Sequence, residues 1–266
     1  MREFTDQDIL RVGLEIMDEV HAFCVEHHLI YFLAYGTLLG AIRHNGYIPW
    51  DDDIDILMPR KDYEYFISHF DNDHYGVISI ENNKHYPLSY AKAYDKKSKK
   101  IEIARSFSKI DIGFNIDVIP MDCVSSEEEY IKLRKKSKGL ALKARFGIVK
   151  VNPKESLKQF IKFFITLPLG WGNHRRAVKL DRYFRKHHKG EDKLYGVNII
   201  YDGYDINYCF PINWVEEVKL KEFEGREYYV PTHYDEILKI MFADYMKFPP
   251  KEEQVTHHGF KVYFRD

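Results

Sequence analysis

Four aspartates stand within five positions in Trp50-Asp51-Asp52-Asp53-Ile54-Asp55-Ile56-Leu57. Along a strand, successive side chains point to opposite faces. Asp53 and Asp55 are therefore expected to share one face while Ile54 and Ile56 enter a core on the other. Two carboxylates held a few ångströms apart on a rigid strand repel each other unless a cation lies between them. Hard oxygen donors select Mg²⁺ or Mn²⁺, and Mg²⁺ combines one or two carboxylates with substrate phosphates. A bare acidic run is usually a solvated loop. Here it follows Pro49-Trp50 and is fused to apolar alternation, where uncompensated charge at the mouth of a core strand costs stability. That combination favours a metal site.

A third carboxylate is at hand in Gly113-Phe114-Asn115-Ile116-Asp117-Val118-Ile119, which alternates in the same way. Taken alone, Asp117 reads as a hydrogen-bonded aspartate. On a strand beside Asp53 and Asp55 it would complete a carboxylate cluster of the two-metal kind. Upstream, Tyr35-Gly36-Thr37-Leu38-Leu39-Gly40-Ala41-Ile42-Arg43 reads as a strand end, a glycine turn and a helix start. Gly36 would let backbone approach a ligand, and Thr37 with the first helix amides would hold a phosphate.

The elements that must position these residues follow from periodicity. Thr5 and Asp8 have capping-box spacing, and apolar residues recur at helical spacing from Ile9 to Cys24. An apolar strand is expected over 29–35, a short helix over 37–43, a strand over 53–57 and an amphipathic helix over 59–70. Further strands are expected at 77–81, 89–94, 100–103 and 113–119. After Pro120 the pattern turns helical and Lys-rich, over 127–150, 153–167 and 174–188, before a β-rich stretch at 218–230 and a helix over 234–245. The expected fold is α+β. Residues 1–122 would form a mixed β-sheet core flanked by helices, and residues 123–266 a mainly helical region completing the site and its acceptor side.

Composition narrows the function. Forty Lys and Arg against 41 Asp and Glu give a formal charge of −1, so no global basic field recommends nucleic acid as a partner. The three cysteines are scattered, which argues against a disulfide framework or a cysteine-built zinc site and fits a reducing compartment. The opening residues do not read as a secretory signal, and the longest apolar run, 163–171, is too short to span a bilayer. A cytoplasmic protein is expected. There is no P-loop, dinucleotide fingerprint or H-E-x-x-H. Of the 13 histidines, the pairs His27-His28, His187-His188 and His257-His258 read as exposed or capping residues, the last pair with the option of closing over the site.

Three segments together resemble one family. They are Tyr35-Gly36-Thr37-Leu38-Leu39-Gly40-Ala41-Ile42-Arg43-His44, Gly46-Tyr47-Ile48-Pro49-Trp50-Asp51-Asp52-Asp53-Ile54-Asp55, and Ile116-Asp117-Val118-Ile119-Pro120-Met121-Asp122. They are similar to the LicD family of phosphocholine transferases, related to the fukutin group, on a polymerase-β-type nucleotidyltransferase fold. The resemblance is dense over 29–122 and returns at Phe223-Glu224-Gly225, Val230-Pro231, Tyr234-Asp235 and Ala243-Asp244-Tyr245-Met246. Where the family has Tyr-Gly-Asp-Tyr, this chain has Phe242-Ala243-Asp244-Tyr245.

The resemblance implies transfer of a phospho-alcohol, phosphocholine first, from a CDP-activated donor such as CDP-choline to a hydroxyl of a cell-surface glycan or teichoic acid precursor. It implies Mg²⁺ held by Asp53, Asp55 and Asp117, with Asp51 as a further ligand or base. Gly36 and Thr37 would bind the donor, and Arg43 and Lys92 would neutralise its diphosphate. A nucleotidyltransferase moving NMP from an NTP, or a non-catalytic membrane-associated scaffold, are the competing readings. The basic, aromatic stretch 157–171 reads either as a core helix or as a helix on the inner face of a membrane, where a lipid-linked acceptor would be found. The sequence leaves open whether the alcohol is choline, ethanolamine, glycerol or ribitol.

Overall fold

The computed structural model describes residues 1–51, 53–102, 110–146, 156–166, 172–187, 194–197, 209–255 and 260–265. Its centre is a seven-stranded mixed sheet in the order β1-β2-β6-β4-β3, with β7 and β8 joined through β6. The strands are β1 (Phe32–Leu33), β2 (Asp55–Pro59), β3 (Tyr75–Ile78), β4 (Ala91–Asp95), β6 (Asn115–Val124), β7 (Leu194–Val197) and β8 (Cys209–Pro211). β2 and β6 run parallel, and the other pairings are antiparallel. The α+β class expected from the sequence is the one observed.

β6 is the spine. One edge pairs with β2 along Asp117 to Met121. The other edge pairs first with β4, through Asn115 to Val118, and then with β7, through Met121 to Val124. Pro120 has no N–H to donate and falls between those two pairings, which is how a strand passes through a proline. The strand expected at 113–119 therefore continues to Val124, across residue 122 where the sequence pattern changes.

Helix α1 (Asp6–Glu26) starts at the expected capping box: the Thr5 hydroxyl accepts from the Asp8 N–H at 3.2 Å, and Asp8 accepts from the Thr5 N–H at 3.0 Å. It buries Val12, Ile16, Met17 and Val20 against the core. α2 (Tyr35–Arg43) and α3 (Arg60–His69) flank β2 in sequence. The run 29–35 yields a strand of only two residues, because α2 begins at Tyr35; Gly36 lies in the first helical turn instead of a separate turn.

Beyond β6, α4 (Glu127–Phe146), α5 (Leu157–Thr166) and α6 (Asn173–Arg185) form the helical region. α4 and α6 pack through Leu133, Ala141, Leu180 and Phe184. α7 (Ile212–Glu216) then leads to the hairpin of β9 (Val218–Phe223) and β10 (Arg226–Pro231), and α8 (Tyr234–Phe242) follows. β5 (Ser98–Glu102) pairs with β11 (Phe260–Phe264) near the chain ends. Among the described residues, no helix is long and apolar enough to cross a membrane.

Candidate active site

The parallel pairing of β2 with β6 puts Asp55 directly beside Asp117. On the other edge of β6, Lys92 of β4 is in register with the same Asp117. One row across the sheet thus reads Asp55, Asp117, Lys92. Lys92 and Asp117 are both buried and form an ion pair. Asp117 also accepts from the Asn115 side-chain amide at 3.3 Å, and Lys100 donates to the Asn115 carbonyl oxygen at 3.0 Å.

Asp53 precedes β2 and is exposed, whereas Asp55 is its first residue and half-buried. The expected shared strand face is thus a strand mouth, Asp53 lying two residues before the regular pairing begins. The alternation still holds: Ile54 and Ile56 are buried. Burial pushes the Asp55 carboxyl well above the ordinary carboxylate range, and the charges of Asp53, Asp117 and Asp51 add to the effect while Lys92 opposes it. Although the side chain keeps some contact with solvent, its surroundings are dense enough for desolvation to come first. Three neighbouring carboxylates and one lysine leave the cluster negative. Asp52 lies outside the described residues.

The start of α2 closes the other side. An added Cβ on Gly36 would sit 2.3 Å from an Asp51 carboxylate oxygen, so a larger residue there would displace the Asp51 carboxylate from this helical turn. The Thr37 hydroxyl, buried, accepts from the Asp55 N–H at 2.9 Å and ties α2 to the first residue of β2. At the far end of the same helix, Arg43 donates to the Tyr245 carbonyl at 2.8 Å, and its guanidinium lies 4.6 Å from the centre of the Phe248 ring. Burial lowers its pKa from the usual arginine value. Arg43 thus tethers the turn after α8, and Lys92 engages Asp117. His257 and His258 lie outside the described residues.

Sequence reasoning missed one residue that shapes this site. Glu224, at the β9–β10 turn, accepts the Tyr47 N–H at 3.0 Å and donates its own N–H to the Asn45 carbonyl at 2.9 Å. A Cβ on Gly46 would come within 2.1 Å of the Glu224 carboxylate, so any larger residue there would have to push that side chain aside. The latch fixes the loop that delivers Trp50 and Asp51. Its only signal in the sequence was Phe223-Glu224-Gly225 itself, which gave no hint of the partner.

The donor chemistry, all carboxylate oxygen with an excess of negative charge, fits a hard divalent cation. Among the described residues, no three acidic, histidine or cysteine side chains already stand in ligand geometry. The Lys92 ammonium holds the Asp117 carboxylate, and a cation would share that oxygen set with it.

A mixed sheet with an acidic pair on adjacent parallel strands, beside a helix N-terminus, is the arrangement expected of a nucleotidyltransferase-type domain. Residues 28–131 match the family described as LicD/FKTN/FKRP, nucleotidyltransferase domain. Over 270 residues, covering 99% of both chains, the protein is 32% identical to a lipopolysaccharide cholinephosphotransferase LicD of Haemophilus influenzae. The chain belongs to the LicD family. Shorter matches join it to an uncharacterised protein of Rickettsia typhi, 32% identical over 40% of this chain and 37% of that one, and to another of Rickettsia prowazekii, 35% identical over 30% and 27%.

Proposed function

We propose that this enzyme is a phosphotransferase that moves phosphocholine from CDP-choline to a hydroxyl of a cell-surface glycan. The observation that carries the reading is the Asp55–Asp117 pair in register on β2 and β6, within a chain that aligns end to end with a cholinephosphotransferase. The acceptor oxygen attacks the phosphorus that bears choline, the bond from that phosphorus to the CMP oxygen breaks, and CMP leaves. The acceptor proton passes to Asp51 or Asp117.

Mg²⁺ held by Asp53, Asp55 and Asp117 would neutralise charge on the diphosphate. The chain's own residues do the positioning. Thr37 holds β2 at Asp55, the α2 amides face the anion side, and Lys92 offsets the carboxylates that would otherwise repel a phosphate. Arg43, at the C-terminal end of α2, is a second cation besides Lys92 of β4.

Incubation with CDP-choline, Mg²⁺ and a glycan acceptor should release CMP without pyrophosphate, and Asp55→Asn should lower turnover by at least about a hundredfold while the protein stays folded. Pyrophosphate release from an NTP would establish nucleotidyl transfer instead. Turnover by Asp55→Asn within about tenfold of wild type would remove the metal assignment. A scaffold would turn over neither substrate.

A further inference from the structure

The charge of the chain is segregated. Residues 131–187 hold 17 of the 40 Lys and Arg but 2 of the 41 Asp and Glu, a formal +15 against −16 for the remainder. Two of the helices in this region turn basic faces outward. On α6 and its C-cap, Arg175, Lys179, Arg182 and Lys186 recur at helical spacing and are all exposed, as are Lys132, Lys135 and Lys136 on α4.

The helix between them is inverted. A helix of a globular protein faces its apolar stripe inward. α5 instead exposes Leu157, Phe160, Ile161, Phe164 and Ile165, a single stripe at i, i+3, i+4, i+7 and i+8, each between 47% and 75% accessible. The half-buried residues of α5, Gln159 and Phe163, lie on the opposite side. Over α5 the stripe does not face a core as the core-helix reading expects, and residues 167–171 of that segment lie outside the described residues. Contiguous exposed apolar surface of this kind marks an interaction site.

We infer that α5, with the basic faces of α4 and α6, docks on the surface of an anionic lipid bilayer. At ten residues α5 is about 15 Å long, far short of a span but suited to lying in the interfacial plane. Its Leu, Ile and Phe side chains would enter the acyl boundary, and the Lys and Arg of α4 and α6 would lie over anionic headgroups. Nucleic acid would use the charge and could stack on Phe160 and Phe164, but it would gain nothing from Leu157, Ile161 and Ile165, which make up the rest of the stripe. A second copy of the chain meeting it through the same face would bring +15 against +15. The bilayer is the partner that satisfies both features, and the inference does not depend on the reaction.

The test is co-sedimentation of the full chain with vesicles of phosphatidylcholine, alone or mixed with phosphatidylglycerol, in the absence of substrates. Binding is expected to the mixed vesicles and to weaken as salt rises, because the charges involved are exposed. Ile161→Asp with Phe164→Asp should reduce partitioning at least about tenfold, since burying either side chain alone is worth that much. The melting temperature should hold, the sites being exposed. Lys179→Glu with Arg182→Glu, on a different helix, should lower binding and flatten its salt dependence. Absence of binding by the wild-type chain, equal binding to neutral vesicles, or binding unchanged by both variant pairs would overturn the inference. So would an oligonucleotide bound in place of vesicles, or a dimer that the α5 variant dissolves.

Discussion

Asp117 ends a short relay in which Lys100 donates to Asn115 and Asn115 to Asp117, with Lys92 on the same carboxylate. Such a buried polar network fixes one orientation of Asp117, because each member is held by another. Ala243, just beyond α8, is one of five non-glycine residues among those described with positive φ. Ala243 ends α8 with φ +54° and ψ −108°, a region that L-residues rarely occupy. The family pattern has glycine at this place, and the departure that looked small in sequence is a backbone matter. For an L-residue, left-handed backbone costs about 1–2 kcal/mol, against about 0.5–1 kcal/mol of extra chain entropy lost by glycine. Ala243→Gly should therefore stabilise the protein by up to about 1 kcal/mol and raise Tm by roughly 1–3 °C in calorimetry. A lowered Tm would mean that the Arg43 tether at Tyr245 relieves the strain already. The burial of Ile54 and Ile56 beside the aspartates was legible from residue types alone, whereas Asp53 stands outside the strand. The ion pair of Lys92 was not, since it depends on which strand lies beside β6, and register between distant strands is not written in either strand.

Among the elements, the β9–β10 hairpin does more than fill a surface. Its turn residue Glu224 engages the 44–50 loop through two hydrogen bonds, while the Tyr47 ring packs edge-on against Phe223 at 5.0 Å. The Tyr47 hydroxyl also reaches the Leu10 carbonyl at 3.4 Å, so α1, the loop and the hairpin meet at one side chain. Glu224 is a positioning residue: it acts on Asp51 only through the loop. Glu224→Ala should lower kcat about ten- to a hundredfold with little change in acceptor KM, because misplacing a reacting group costs the transition state more than binding. Glu224→Gln keeps an oxygen for the Tyr47 N–H and should recover most of the rate. Equal losses in the Ala and Gln variants would show that the carboxylate charge matters instead of the hydrogen bond. Element identity was largely legible, because α1, α3 and the β9–β10 stretch carry periodicity and capping that local physics reads directly. The apolar run 29–35 was misjudged because a short buried run does not distinguish a strand from the first turn of a helix. The contact between hairpin and loop, about 180 residues apart in sequence, left no local trace.

Across the whole molecule, the helical region is fastened to the sheet by charge. Arg60, the first residue of α3, makes two hydrogen bonds of 2.8 Å to Asp122 on β6 and one of 3.0 Å to Asp181 on α6. All three side chains are nearly inaccessible. Asp122 closes the Ile116-to-Asp122 motif, yet it faces this triad and not the acidic row around Asp117. Arg185 extends the network, donating to Asp181, Glu64 and Glu81 at 2.5 Å each. The sequence marked a change of character near residue 122, and the structure shows β6 running through it with α6 anchored to that strand by the triad. A buried ion pair is weak evidence of net stability, because desolvation cancels much of the attraction, but breaking one leaves uncompensated charge. Arg60→Met should therefore cost about 3–5 kcal/mol in urea denaturation, a large share of the roughly 5–15 kcal/mol that holds a folded chain. Replacing all three together, Arg60→Met with Asp122→Leu and Asp181→Leu, should recover most of that loss, since no charge is then left buried. A cost below about 1 kcal/mol for Arg60→Met would show that water already screens the site. A triple variant as unstable as the single one would mean that the shape of the guanidinium, packed at 5.4 Å over the Tyr63 ring, is what joins α3, β6 and α6.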